Sequence, residues 1–213
     1  MKNKPQKKSL LSNEIILEKK KPSTPEDPSI LRQIDYHIDV NRRVIYLSGP
    51  IDITTPEFIN HRIDVICDLT NNHKADIDLD IVSPGGDVYG MMGTIDIIRN
   101  APVDINIIGR GMIMSAASVI LMSGTGTRSM EQHSTLMIHN IRSWLDGSSQ
   151  DIITEATHIK KLQDIVYNMY AKFSTKPKKF WEGKKNVDWY LTPAECLKLG
   201  LIDKINGELN GYN

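Results

Sequence analysis

Apolar residues along this chain switch repeatedly between a period of two and a period near 3.6. Arg43 to Gly49, RVIYLSG, alternates as a strand does and runs into Pro50 and a polar turn. Thr54, Pro56 and Glu57 read as a helix start, with a Thr cap, Pro near the first turn and Glu three residues on; Phe58, Val65, Ile66 and Leu69 supply its apolar face. In ADIDLDIV, Ile77, Leu79 and Ile81 share one strand face and Asp76, Asp78 and Asp80 the other. SPGGDV, Ser83 to Val88, ends that strand and enters a helix carrying Val88, Met91, Met92, Ile95 and Ile98. Its two adjacent glycines let the backbone adopt angles closed to other residues and let another segment approach closely.

The second half repeats the pattern. VDINIIG, Val103 to Gly109, is a strand that passes through a glycine-containing turn into Ser115, which opens an apolar, buried helix running towards Gly124. GTGTRS turns the chain back into STLMIHN, a strand with His139 at its end. Ile152, Ile153, Ala156, Ile159, Leu162 and Val166 give a long amphipathic helix from Asp151 to about Tyr170. The lysine-rich KPKKFWEGKKN is a polar connection to Asp188, and TPAE, Thr192 to Glu195, starts a last short helix that stops at Gly200. Strands and helices in alternation predict an α/β domain with helices against a largely parallel sheet.

Composition narrows the classes. The 213 residues suit one domain, expected over 30–213, and the balance of 26 basic and 26 acidic side chains gives no global pull towards nucleic acid or membrane. Cys67 and Cys196 are far apart and outside any CxxC spacing, which argues against a disulfide framework or zinc site and makes a reducing compartment, the cytoplasm, the default. No apolar run reaches the roughly 18 residues of a membrane span, and no secretion signal is recognisable. Residues 1–29 are rich in Lys and Pro and read as a disordered basic arm or a removable propeptide, within which SLLSNEIILEKK is compatible with a short amphipathic helix on contact. The three strand aspartates read as a solvated, self-repelling face rather than a calcium or magnesium site.

Ser115 alone reads as an N-cap, a role serine favours. At the start of a helix, however, a hydroxyl also meets unpaired N–H groups and a dipole that favour an attacking alkoxide and its oxyanion. Acyl transfer needs such a nucleophile, an imidazole to take its proton, a carboxylate to orient the imidazole, and N–H donors for the oxyanion. Ser115, His139, Asp188 and Gly86 offer one of each, at the ends of different elements.

The order of these blocks carries a resemblance. SPGG at Ser83 to Gly86, GxxxS at Gly111 to Ser115, LMIH at Leu136 to His139 and DWYLTPAECLKLGLID at Asp188 to Asp203 resemble the signature blocks of the Clp protease proteolytic subunit, the ClpP family, and RVIYLSGPID resembles its first strand. The resemblance spans Arg43 to Ile205. It implies a crotonase-like α/β spiral core with a projecting helical handle at Asp151 to Tyr170, and a serine endopeptidase using Ser115 as nucleophile, His139 as general base then acid, and Asp188 as orienting carboxylate. Gly86 and Ala116 N–H groups would form the oxyanion hole. It also implies a ring homo-oligomer, heptamer or tetradecamer, enclosing a chamber for polypeptide substrates, and a separate AAA+ ATPase that feeds it. No cofactor or metal is implied, and the chain lacks a GxxxxGK[ST] phosphate loop. The rival readings are a non-catalytic ClpP-like ring subunit and a crotonase-type acyl-CoA enzyme.

Departures from the family pattern set further expectations. Met112, Ile113 and Met114 precede the serine where small residues are usual and Ala116 and Ala117 follow it, so the pocket beside the nucleophile is expected to be reshaped. His139, Asn140 and Ile141 replace HQP, and Asn186 and Val187 replace a charged pair that helps link rings. Asp78 and Asp80 stand where relatives carry aromatics that receive ATPase loops; a carboxylate in such an apolar pocket costs several kcal/mol, so non-standard docking is expected.

Overall fold

A computed structural model describes residues 33, 35–184 and 188–207. The arm over 1–29, the onset of order near Ile30 and the exchange at Asn186 and Val187 lie outside the described residues.

The α/β reading holds. Among the described residues, eight strands form one sheet: β1 (Ile38–Asp39), β2 (Val44–Ser48), β3 (Ile77–Ser83), β4 (Ile105–Met114), β5 (Arg128–Glu131), β6 (Thr135–Ile138), β7 (Trp189–Leu191) and β8 (Lys204–Asn206). Their main path is β1-β2-β3-β4-β5-β8, while β6 branches from β4 and carries β7. Pairing is parallel except for β1 on β2 and β7 on β6. Helices α1 (Thr55–Thr70), α2 (Val88–Asn100) and α3 (Ala116–Met122) make the crossovers between parallel strands. Ile77, Leu79 and Ile81 of β3 are wholly buried between β2 and β4, as their alternation predicted.

β4 is the organising strand, and it is longer than its apolar run. It continues past Gly109 to Met114 instead of turning, pairing β5 through residues 107–109 and β6 through 112–114. A register shift opposite Ile81 and Ser83 takes up Arg110 to Met112, with Gly111 at φ +59°. Such a bulge bends the strand and re-aims the residues beyond it. Here those are Ser115 and then α3, every residue of which is buried.

Several local expectations shift. The side chain of Thr54 makes no cap bond to α1; Asp52 Oδ1 accepts from the amides of Thr54 and Thr55, at 2.8 and 3.1 Å, and does that work. Ile59, Ile63 and Ile66 form the buried face of α1, whereas Leu69 is 69% exposed. GTGTRS holds the start of β5 as well as a turn. KPKKFWEGKKN contains α5 (Lys178–Glu182), with Trp181 buried against Tyr170 and Phe180 at ring separations of 5.1 Å and its Nε1 donating to Ser174 Oγ at 3.1 Å. The amphipathic handle is α4 (Ser149–Phe173), opened by a Ser148–Asp151 capping box; Leu162, Val166 and Tyr170 are buried, but Ile152 and Ile153 are exposed. The last helix, α6 (Pro193–Leu199), has the expected Thr192–Glu195 capping box and ends on left-handed Gly200.

Of the three aspartates read as a solvated, self-repelling face, Asp76 is exposed, but Asp78 and Asp80 on β3 are partly buried and paired. Asp78 accepts from Asn106 Nδ2 at 2.9 Å, and Arg110 bridges Asp80 at 3.0 Å to Glu131 at 2.6 Å. Asp80 holds the Arg110 guanidinium in its charged form, so around Asp80 the face read as self-repelling is a network of paired charges.

Candidate functional site

Two backbone corners meet at the carboxyl ends of β3 and β4. At the first, Gly85 and Gly86 adopt φ +88° and +152°. A Cβ on Gly86 would sit 2.0 Å from the Ile51 carbonyl oxygen, and one on Gly85 would lie 2.7 Å from Ser115 Cβ. Close approach therefore demands glycine at both positions. Ile51 stitches the corner on both sides, donating to Gly85 O at 2.9 Å and accepting from Asp87 N at 2.8 Å.

At the second corner Ser115 takes φ +54° and ψ −120°, a strained conformation for a residue with a Cβ. Its amide donates to Met137 O at 2.8 Å, and its carbonyl accepts from Ser118 N and Oγ at 2.9 and 2.6 Å. These bonds over-determine the strain. The hydroxyl caps nothing, contrary to the N-cap reading; it lies 2.7 Å from His139 Nε2. The same Met137 carbonyl that clamps Ser115 sits two residues before His139, so the β4–β6 register sets that distance.

His139 comes directly after β6, with 14% of its side chain exposed. Burial pushes its imidazole below the ordinary value, the Arg142 charge pushes the same way, and Asp188 pulls it up. A lowered pKa keeps the imidazole in its neutral form, which can accept a proton. Among the described residues, its Nδ1 is buried without a hydrogen-bond partner. The nearest carboxylate oxygen, Asp188 Oδ1, is 3.7 Å away, beyond hydrogen-bond range. That same oxygen accepts from the Arg142 guanidinium.

The structure thus brings Ser115 and His139 into contact, sets Gly86 and Ala116 along the same cavity, and leaves Asp188 near but unbonded to the imidazole. Arg142 escaped the sequence reading. An arginine three residues past a strand-end histidine carries no motif, and its role emerges only from the loop being pinned: Asn140 Oδ1 accepts from Tyr167 at 2.9 Å, and Ile141 N donates to Gln163 Oε1 at 2.7 Å.

The cavity beside Ser115 measures about 460 Å³. Val119, Met137, Leu162, Val166 and Tyr170 make it apolar at depth, and Asp87, Arg142 and Glu155 stand among its polar lining. Such a slot accepts an apolar side chain. Met112, Ile113 and Met114 do not line the cavity, and Ile113 is buried in the core. Among the described residues, no cluster of three or more His, Cys, Asp or Glu is arranged to hold a metal, and no helix is long and apolar enough to cross a membrane. Cys67 and Cys196 are free and buried, the thiol of Cys196 pushed up to about 12 chiefly by burial.

Comparison with known proteins gives a consistent result. The family model described as Clp protease matches residues 32–208. An ATP-dependent Clp protease proteolytic subunit of Porphyromonas gingivalis is 34% identical over 164 residues, covering 76% of this chain and 73% of that protein. Proteins of the same name from Deinococcus radiodurans, 30% identical over 76% of this chain and 79% of theirs, and Bacteroides fragilis, 34% identical over 76% and 78%, are similar in the same way.

Proposed function

The chain belongs to the Clp protease family, and on that premise we propose that it is a serine endopeptidase in which Ser115 attacks the peptide carbonyl. His139 Nε2 takes the hydroxyl proton as the Oγ–carbon bond forms, and the carbonyl electron pair moves onto oxygen. The amides of Gly86 and Ala116 donate to that oxyanion; Ala116 is the first residue of α3, where backbone N–H groups have no partner within the helix. Collapse of the tetrahedral intermediate breaks the carbon–nitrogen bond, and His139 passes its proton to the departing amine. Water, activated by the same imidazole, then releases the acyl group from Ser115. Asp188 orients His139 and stabilises the imidazolium. No cofactor enters these steps.

The observation that carries this reading is the 2.7 Å contact between Ser115 Oγ and His139 Nε2 at a strained serine. The apolar slot supports a hydrophobic residue on the acyl side of the cleaved bond. We further propose a ring homo-oligomer, heptameric or tetradecameric, in the cytoplasm, fed by an AAA+ ATPase. The Asp80–Arg110–Glu131 network supports docking through polar rather than apolar contacts. A fluorophosphonate probe tests the chemistry: it should label Ser115 in the native assembly, and labelling of any other residue in its place rejects the assignment. Native mass of the assembly tests the ring.

A further inference from the structure

We propose that Arg142 is a positioning residue that holds Asp188 off His139, so that the site reaches full rate only when Arg142 lets the carboxylate go. The inference deepens the peptidase reading and rests on it. Among the described residues His139 Nδ1 is buried and unbonded, a costly arrangement for a buried polar atom that marks the site as incomplete. The oxygen that would complete it, Asp188 Oδ1, lies 3.7 Å away and is engaged by Arg142. Closing that gap needs a shift of only about 1 Å.

The two ends of the Arg142 contact are unequal. Asn140 and Ile141, just before it, are tied to α4 by Tyr167 and Gln163, so the loop directs Arg142 towards Asp188. The pair itself is open to water, with 68% of the Arg142 side chain and 35% of that of Asp188 exposed. An ion pair so exposed contributes little net stability, and it breaks without disturbing the fold. Among the described residues, Ser115, Arg142 and Asp188 face His139, with Asp87 and Glu155 lining the same cavity.

The rate at which a fluorophosphonate acylates Ser115, measured across pH on the full chain in its native assembly, decides the matter. Arg142→Gln should raise the high-pH plateau roughly fivefold or more, the scale of one pairwise coupling, and move the acid limb upward. The same substitution placed on Asp188→Asn should leave the plateau where Asp188→Asn alone puts it. As a check free of folding effects, added salt screens the exposed pair and should speed acylation of the unaltered chain but not of Asp188→Asn. A plateau that is unchanged or lower in Arg142→Gln, or a rise that persists without Asp188, overturns the latch while leaving the peptidase standing. Absence of Ser115 labelling in every variant overturns the peptidase reading and the latch together.

Discussion

The two halves of the site are built differently. Ser115 and His139 grow out of the sheet: one ends β4, the other comes just after β6, and a single carbonyl, that of Met137, ties their registers together. Around them α3 is buried along its length and Ser83 is inaccessible. Asp188 and Arg142 instead stand on connections at the surface and bond each other. Distances set by core packing are hard to alter without unfolding, whereas a side chain held by one exposed ion pair moves readily. The Ser115–His139 geometry is thus fixed by the fold, and on the proposed reading its activation is left adjustable.

The largest effect should come from the rigid half. Ser115→Ala is expected to lower kcat/KM for peptide hydrolysis about a million-fold, the usual cost of losing a triad nucleophile. Its melting temperature should hold or rise, because alanine removes no cap bond. Retained hydrolysis would end the proposal. Next comes the adjustable half: Asp188→Asn should reduce kcat/KM about a thousandfold, less than the roughly 10⁴-fold seen where the carboxylate already bonds the imidazole. A drop under about threefold, well below any triad carboxylate, would make Asp188 a bystander and erase the contrast between the halves.

The same contrast separates what could be read in the chain from what could not. Strict alternation announced β3 because Ile77, Leu79 and Ile81 are buried by neighbours on both sides and have no other place to go. The α6 start was legible because a capping box is a local device, complete within Thr192 to Glu195. β4 beyond Gly109 was not, since Arg110 and Gly111 belong to a bulge that exists only through pairing with β3. Trp181 was masked by the lysines around it, its burial depending on Tyr170 and Phe180 meeting it in space. At the site, Ser115, His139 and Gly86 were visible as residue types at element ends. Arg142 was not, because an exposed arginine looks alike in sequence whether it meets solvent or a carboxylate.

Trp181 provides a stability test of the adjustable half. Trp181→Ala removes a fully buried indole and its bond to the Ser174 hydroxyl, which keeps its own bonds to Tyr170 O and Lys176 N, so a loss of about 3–5 kcal/mol is expected in denaturant unfolding. Trp189, beside Asp188, lies 6.3 Å from the Trp181 ring. Activity per folded molecule should therefore fall in Trp181→Ala while the 2.7 Å Ser115–His139 pair, which shares none of these contacts, persists. Equal losses from a comparable cavity opened elsewhere, for instance by Ile63→Ala in α1, would show that the carboxylate end has no special tie to the aromatic cluster.

The smallest expected effect is in pH dependence. His139 must be neutral to accept the Ser115 proton, and burial first, then the Arg142 charge, hold its pKa below the ordinary 6.5. The acid limb of kcat/KM should accordingly lie below that value, with activity retained as pH falls past 6.5 and lost only through the depressed pKa. Stability runs the same way. Above the ordinary value the imidazole is neutral in both folded and unfolded chains, and its contribution is fully present; as pH falls the unfolded chain binds the proton first, and the contribution is lost down through the folded pKa. The neighbours act with opposite signs, so their removal separates them. Asp188→Asn takes away the charge that raises the imidazole pKa and should move the limb lower still, whereas Arg142→Gln takes away a charge that lowers it and should move the limb up. A limb that stays put in both variants would mean that burial alone sets the imidazole and that neither surface charge reaches it.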